Sequence, residues 1–510
     1  MFVADIIKHL AYQIAAASKL LINPRESFMA QHPIPLKTRF FYGAGGAAYA
    51  TKEAAYISFI LLFYTQILAL DAAVTGVVLA IGILWDAITD PLVGAYSDKL
   101  KSRLGRRHFP MSVAILPMGV GFIGLFSPPS FVSDSTYLLP CWLLFWSLWV
   151  RSFVTLFSIP HLALATEITS DYENRSEVLG ARLACMFMAS VLLPALAFAF
   201  LFVEENGIDG RFIKENYYYY GVISCVLVWL VATTTVIGTR QYAKSSAVKK
   251  DLNYKTSLAK MWQDLKLTLD NQLFRALIAF EIPFSMAYGV LISLNMFAWT
   301  YFWQFSTAQI SILLSVPSLS AILMVMFSLR PLSKRWEKHQ QVKFSMWILF
   351  LNCLWLYPLR LTDLIPSTSE SLSFSLNLMV MLIFMYFFLL RSINVQSITV
   401  DVTDLHLLRH GQLQEGSFLS IINFCQKFAA IFGPIYGGFA LDYIGLENQL
   451  EPSQVAYDSQ IDLIIAMGIG VIPLTLLSLY LGNKIFFPRE EVLSIQSALE
   501  VKKIALKKEG

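Results

Sequence analysis

Residues Ala72–Arg107, AAVTGVVLAIGILWDAITDPLVGAYSDKLKSRLGRR, decide how the rest of the chain is read. At 1.5 Å rise per residue the apolar opening is long enough to cross a bilayer as a helix. Asp86 and Asp90 lie inside that run, which closes in a burst of lysine and arginine. A charge at membrane depth costs roughly 2.5 to 3.5 kcal/mol on insertion scales, so it faces a bundle interior, a partner charge or water. Spaced four apart, the two carboxylates stack on one helix face about 6 Å apart. This is cation-binding or proton-carrying geometry; the plainer alternative is an interhelical salt-bridge staple. Thr89 between the two acids and Pro91 after them favour a coupling site.

Composition agrees with a membrane location. Of 510 residues, 56% are hydrophobic and only 15% charged, and the mean hydropathy is +0.58, which describes an all-α polytopic membrane protein rather than a set of soluble domains. A net charge of +4 gives no reason to expect a nucleic-acid partner. Cys141, Cys185, Cys225, Cys353 and Cys425 all fall in apolar segments without CxxC spacing, so neither a disulfide framework nor a metal site is expected. The N-terminus lacks the pattern of a cleavable leader; Met1–Leu21 spaces apolar residues helically around Lys8 and Lys19, as a surface-lying segment does.

About twelve apolar windows follow, near residues 40–68, 72–98, 109–130, 136–165, 179–203, 217–239, 274–303, 307–329, 342–362, 372–398, 417–441 and 458–486. Basic connections at the N-terminal tail, Lys99–Arg107, Arg240–Lys266, Arg330–Lys343 and after Lys484 alternate with connections nearly free of positive charge. The positive-inside rule then puts both termini in the cytoplasm, and a bacterial inner membrane is expected. The long basic loop splits the spans six and six. Five regions result: an N-terminal segment 1–39, a first bundle 40–239, a middle loop 240–273 with an amphipathic helix over Leu258–Leu269, a second bundle 274–486 and a tail 487–510. Pro91-Leu92 before the first basic loop is echoed by Pro331-Leu332 before Lys334, Arg335 and Lys338. Two six-helix halves with a site between them at the midplane match the major facilitator architecture.

Gly94-x-x-x-Asp98-Lys99-x-x-x-Arg103-x-Gly105-Arg106-Arg107 resembles the signature loop of that superfamily. With Trp85-Asp86-Ala87-Ile88-Thr89-Asp90-Pro91 before it, the chain resembles more narrowly the glycoside, pentoside and hexuronide cation symporters, the family of melibiose permease. Ser158-Ile159-Pro160-His161 with Glu167, Asp171 and Arg175, then Asp401-Val402-x-Asp404 with Glu415-Gly416, and Gln426-Lys427 follow in the family's order. The resemblance implies a rocking-bundle transporter working as a monomer, without a bound cofactor, coupled to Na+ or H+. It implies cation ligands at Asp86, Thr89, Asp90 and Thr155. Oxygen ligands suit a hard cation, and two close carboxylates raise one pKa so that a proton can replace the metal.

On the solute side the resemblance implies roles for Lys52, Glu53, Ser158, Leu162 and Arg182. Ser158 stands where melibiose permease has an acid and Leu162 where it has the aromatic residue that stacks on the sugar. By rise per residue Lys52, Arg151 and Lys427 approach the midplane, so Lys52, Glu53, Arg151 and Lys427 line a solute cavity, neutralise one another, or do both. Asp98, Arg103, Arg107, Glu167, Asp171, Arg175, Asp401, Asp404 and Arg409 gather at the expected cytoplasmic ends. Each exposed pair there is worth under about 1 kcal/mol, and a network between the halves would bias which side is open. Glu281 reads as a structural or gating pair and His161 as a hydrogen-bonded interior group. Trp142, Trp146 and Trp149, Trp299 and Trp303, and Tyr217–Tyr220 read as interfacial or lipid-facing aromatics.

Three functions are expected in this order: a cation-coupled transporter of a small polar organic solute such as a glycoside; a transporter of a lipid-like or aromatic amphipath; a non-transporting sensor or scaffold. Relatives of the family carry sugars, sulfonates or lysolipids. No nucleophile motif, metal-ligand cluster or phosphate loop points to an enzyme.

Overall fold

The computed structural model describes residues 34–100, 102–169, 172–243, 269–362, 371–410, 415–446 and 455–509, together with 364 and 452. Each of the twelve expected spans carries a helix: α1 Leu36–Ser58, continued by Ile60–Leu62, α2 Ala72–Lys99, α3 His108–Phe126, α4 Leu138–Ile168, α5 Tyr172–Leu196, α6 Lys214–Gly238, α7 Gln272–Phe297, α8 Thr307–Arg335, α9 Lys338–Leu361, α10 Ser371–His410, α11 Glu415–Ala430 with its continuation Phe432–Ile444, and α12 Tyr457–Gly482. Ten are long and apolar enough to cross a membrane; α1 and α11 are not among them. The reason is chemical, since α1 carries Lys52 and Glu53 and α11 carries Gln426 and Lys427 before breaking at Ile431. A thirteenth helix, Arg489–Glu509, was not foreseen in the tail. Its Val492, Ile495 and Leu499 follow helical spacing and pack on the second bundle. The expected surface segment Met1–Leu21, and all but the last residue of the expected loop helix Leu258–Leu269, lie outside the described residues.

The two halves repeat in a register of 235 residues. α1 ends in a π-helical turn, Phe63–Ile67, and α7 ends in another, Ala298–Phe302. Leu68 N donates to Phe63 O at 3.1 Å and Leu70 N to Tyr64 O at 2.9 Å; Trp303 N donates to Ala298 O and Phe305 N to Trp299 O, both at 2.9 Å. Ala69 and Gln304 follow with φ of 53° and 50°, and Asp71 and Ser306 then cap α2 and α8 by accepting from Val74 N and Gln309 N. The proline echo read from sequence falls five residues out of this register. It marks two helix ends, not equivalent positions.

The equivalent turns meet each other. Tyr301 Oη donates to Gln66 Oε1 at 2.8 Å across the repeat, and Gln66 Nε2 donates to Leu446 O. Arg211, 2% exposed, donates to Thr300 Oγ1 at 2.8 Å and to Phe305 O at 2.9 Å while Asp209 neutralises it. Ser311 Oγ reaches Ala195 O at 2.8 Å. On the same end the backbones of α2 and α11 touch: a Cβ on Gly76 would strike Pro434 O, and one on Gly438 would strike Ala72 O. The end away from the basic loops is therefore closed by neutral hydrogen bonds, by the Asp209-paired guanidinium of Arg211 and by bare backbone.

Aromatics expected at the membrane interface partly serve this closed end instead. Trp299 is 3% exposed, and Trp303 and Tyr217 are fully buried. Tyr220 packs tilted against Phe59 and edge-on to Phe126, while Tyr218 and Tyr219 remain exposed. Trp142 and Trp149 donate from their indoles to Gly124 O and Pro117 O, which welds α4 to α3.

The second half has a charged core. Glu281 on α7 and Arg391 on α10, 1% and 2% exposed, form an ion pair, and Gln426 Nε2 donates to the other Glu281 oxygen at 2.8 Å. The Arg391 guanidinium also lies over the rings of Phe280 and Phe284, 4.7 and 3.6 Å from their centroids. Removing one member strands a buried charge, so Glu281→Ala should lose about 3 to 5 kcal/mol. Denaturant unfolding in micelles measures it, and the double variant Glu281→Leu with Arg391→Met should recover most of the loss. At the closed end, Arg211→Ala leaves Thr300 and Phe305 O short of a donor at roughly 1 to 3 kcal/mol. Amides of 63–70 and 298–305 should then exchange hydrogen about tenfold faster; unchanged exchange would mean that Arg211 is not part of the closure.

Candidate functional site

The site is assembled from α1, α2, α4 and α11. Pairing begins inside the first half, where Lys52 Nζ lies 2.9 Å from Glu53 Oε1 and 3.2 Å from Asp86 Oδ2. Arg151 from α4 donates to the same Asp86 oxygen at 2.5 Å. Gly82, one turn before Asp86, makes this crossing possible, because a Cβ there would stand 2.6 Å from Arg151 Nε. Tyrosines complete the wall: Lys52 Nζ sits 4.5 Å from the Tyr49 ring centre and the Arg151 guanidinium 4.3 Å from that of Tyr56, whose hydroxyl donates to Ser147 Oγ at 3.0 Å. Two cations face two carboxylates, so the cluster is neutral as a whole.

Within that neutral cluster one atom is left over. Asp86 Oδ1 is buried and has no hydrogen-bond partner among the described residues, although the other oxygen has two cationic ones. A buried acceptor left bare is costly, and native proteins rarely tolerate one without a purpose.

Asp90, one turn along, has different neighbours. Its Oδ1 accepts from Thr155 Oγ1 at 3.0 Å and its Oδ2 faces Lys427 Nζ at 2.5 Å. Lys427 comes from the other half, so this pair bridges the two bundles near mid-depth, and Lys427 is also within electrostatic reach of Asp86. The pair is partly exposed, at 38% and 23% of the side chains, whereas Lys52, Asp86 and Arg151 are 5 to 7% exposed. The stacked acids read from sequence are thus two separate ion-paired centres, one buried and one partly exposed.

Other expected site residues divide. Ser158 is buried at 6% exposure and Leu162 is 45% exposed. Thr89 turns its hydroxyl to its own helix, donating to Trp85 O at 2.9 Å, so it offers that oxygen only through its lone pairs. Arg182 on α5 is half-buried beside Tyr42 and His161, with Nε unpartnered. His161 is fully buried and bonded to Tyr42 O at 2.8 Å, the interior group expected of it.

Among the described residues, the ion pairs that the expected gating residues show lie within one half or the other. Arg107 pairs with Asp98 and also bonds Ser97 at 2.5 Å, and Arg106 pairs with Glu167 at 2.7 Å, all within the first half. Asp401 pairs with Lys338 at 2.5 Å within the second. Arg103 and Arg409 are exposed, Arg175 and Asp404 are half-buried, and Asp171 lies outside the described residues. Among the described residues, Asp98, Glu167 and Asp401 each pair with a cation from their own bundle.

Three contributors escaped the sequence reading: Arg391, Arg211 and the tyrosine pair Tyr49 and Tyr56. Arg391 had a signal, being an arginine deep in an apolar span like Arg151. Tyr49 and Tyr56 lie one turn either side of Lys52–Glu53, where ring faces reach the charges.

Comparison with known proteins follows the same lines. The profile of the MFS/sugar transport protein family matches residues 41–490. Sodium-dependent lysophosphatidylcholine symporter 1 of Xenopus tropicalis is 25% identical over 503 residues, 92% of this chain and 90% of that protein. The putative glycoside/cation symporter YagG of Escherichia coli is 23% identical over 424 residues, 83% of this chain and 86% of its own. An uncharacterized symporter of Synechocystis is 31% identical over 160 residues, a stretch that spans only 29% of its length. In fold, the xylose transporter XylE of Escherichia coli in its inward-open conformation superposes with a TM-score of 0.60 at 13% identity, over 90% of this chain and 98% of that one. With the profile covering both bundles and the linker, the chain belongs to the MFS/sugar transport family, as an integral multi-pass membrane transporter and not an enzyme.

Proposed function

We propose that this transporter moves an organic solute together with a cation, Na+ or H+, by alternating access. The observation that carries the reading is the bare, buried Oδ1 of Asp86 one turn from the Asp90–Thr155 pair. A hard cation or a proton is the ligand such oxygens lack. Lys427 then acts as a tethered stand-in for the cation on Asp90. An arriving cation competes with its ammonium, weakens the bridge between the bundles and frees a charge for the solute. Because linkage is reciprocal, a solute that engages Lys427 must in turn tighten cation binding.

The solute presents a polar or charged group to Lys52, Glu53, Arg151 and Lys427, as a glycoside or related compound does; the name of YagG supports this class. A second reading, an amphipathic lipid-like solute, is favoured by a largely apolar cavity of about 360 Å³ that begins one helical turn from Glu53, and by the name of the Xenopus relative. In both readings the monomer sits in the bilayer with its basic loops and both termini in the cytoplasm.

Thermal unfolding of the purified protein across a panel of sugars and lysolipids, in Na+ and in K+, identifies the solute, since binding to the folded state raises apparent stability. In vesicles, Asp86→Asn and Asp90→Asn should each cut gradient-driven uptake of that solute at least about tenfold, a loss of about 1.4 kcal/mol or more in coupling. Uptake that ignores both Na+ and pH gradients and survives the two substitutions would sink the coupling.

A further inference from the structure

A second cavity lies at the basic-loop end of the second half, away from both charged centres. It holds about 540 Å³ between the start of α7, the end of α10, the segment after α12 and the tail helix Arg489–Glu509, within the range of about 300 to 1,000 Å³ of small-molecule sites. Its floor is built from the core: Leu405 and Phe487 in its wall are buried, and His339 Nδ1 lies 3.3 Å from Phe487 O. Ile485 and Ile495, before and after Phe487, are 1% and 5% exposed in the core of the second bundle. The chain after α12 is therefore fixed where it closes the cavity.

Charge sets this cavity apart. Arg275 of α7, Arg409 of α10 and Lys484 after α12 line it, and among the described residues none of the three forms an ion pair. Glu491 is the acid in the wall, so three cations against one carboxylate leave two positive charges uncompensated. Arg275 Nη1 donates to Leu269 O at 3.1 Å, which holds the guanidinium and leaves its remaining N–H groups to a guest. Asn271 is already spent, its Oδ1 accepting from Leu273 N and Phe274 N at 3.0 and 3.2 Å to cap α7. The repeat supplies the comparison. At the equivalent place in the first half, between the start of α1 and the end of α6, a cavity of about 510 Å³ is lined by Thr38, Thr233, Thr234 and Gln241, with Lys37 as its charged residue. The fold makes the space in both halves, and only the second gathers several cations around it. Like charges around one space repel unless an anion joins them.

We propose that this cavity binds a phosphate group, carried by an anionic lipid of the adjacent leaflet or free in solution. A tetrahedral phosphate offers oxygens to two guanidinium forks and an ammonium together, and its one or two negative charges match the excess. Every lining residue belongs to the second half or its tail, so the site does not depend on the ion and solute centres between the halves and stands whether or not transport is coupled.

The test uses full-length protein in an uncharged detergent. Its unfolding temperature is followed against potassium phosphate, with potassium chloride at equal ionic strength and pH as the reference, and retained lipid is counted by native mass spectrometry after exchange into micelles containing phosphatidylglycerol. Stabilisation by phosphate beyond chloride assigns the free ion, retained phosphatidylglycerol without it assigns the headgroup, and neither result would overturn the proposal. Arg275→Gln with Arg409→Gln should weaken the ligand about tenfold or more, and Lys484→Gln serves if that variant does not fold. Glu491→Gln removes the opposing charge and should tighten binding by up to about fivefold. Lys37→Gln in the first-half cavity and Asp90→Asn should leave the affinity unchanged. A loss with Lys37→Gln equal to that of the arginine pair would mean that overall charge holds the anion, and a loss with Asp90→Asn would move the ligand to the site between the halves; either overturns the assignment.

Discussion

A charge inside a bilayer-spanning bundle must be met by another, and the arrangement of this protein follows from how that debt is settled in each half. Asp86 is met twice over on one oxygen, by Lys52 and Arg151, and not at all on the other. Glu281 is met once by Arg391 and has its second oxygen satisfied by Gln426. In the proposed reading that difference separates the cation centre from a structural pair: Glu281 has both oxygens engaged and holds helices together, whereas Asp86 keeps an oxygen for a ligand.

α11 connects the two kinds. Its neighbouring residues Gln426 and Lys427 point to opposite halves, the amide to Glu281 and the ammonium to Asp90. Any ligand that takes Asp90 from Lys427 therefore acts on a helix that remains anchored in its own bundle by Gln426. The far end of the molecule is bound differently, by neutral contacts between repeat-related turns such as Gln66 and Tyr301, by the glycine contacts of α2 with α11, and by Arg211, which Asp209 of its own half neutralises while it donates to Thr300 and Phe305 O of the other. The link at the charged centres is an ion pair between the halves, whereas at the end away from the basic loops no acid of one half faces a cation of the other among the bonds described.

Much of this was legible in the residues. Spans followed from apolar run length, and even their polar exceptions, α1 and α11, are the helices whose charges build the site. The intramembrane acids stood out for a general reason: charge at such depth is expensive and is kept only where it has a partner or a use. Partner choice was not legible in the same way. By sequence, Arg107 and Asp401 were equally available to partners in either bundle, and the tertiary structure pairs each within its own. Trp299 and Trp303 carry the composition of a lipid-facing belt, yet the π-helical turn at 298–302 rotates them inward. A one-residue change in winding is invisible to helical spacing.

Sequence alone determined the class of molecule, the order of the twelve apolar spans and the acids on α2, because each rests on local properties: run length, charge count and spacing along one helix. Tertiary structure alone decided which cation meets which acid, which oxygen is left bare, and where the apolar cavity lies beside the charged centres. Those are relations between helices far apart in the chain, set by packing distances of a few ångströms that no periodicity along a single helix encodes.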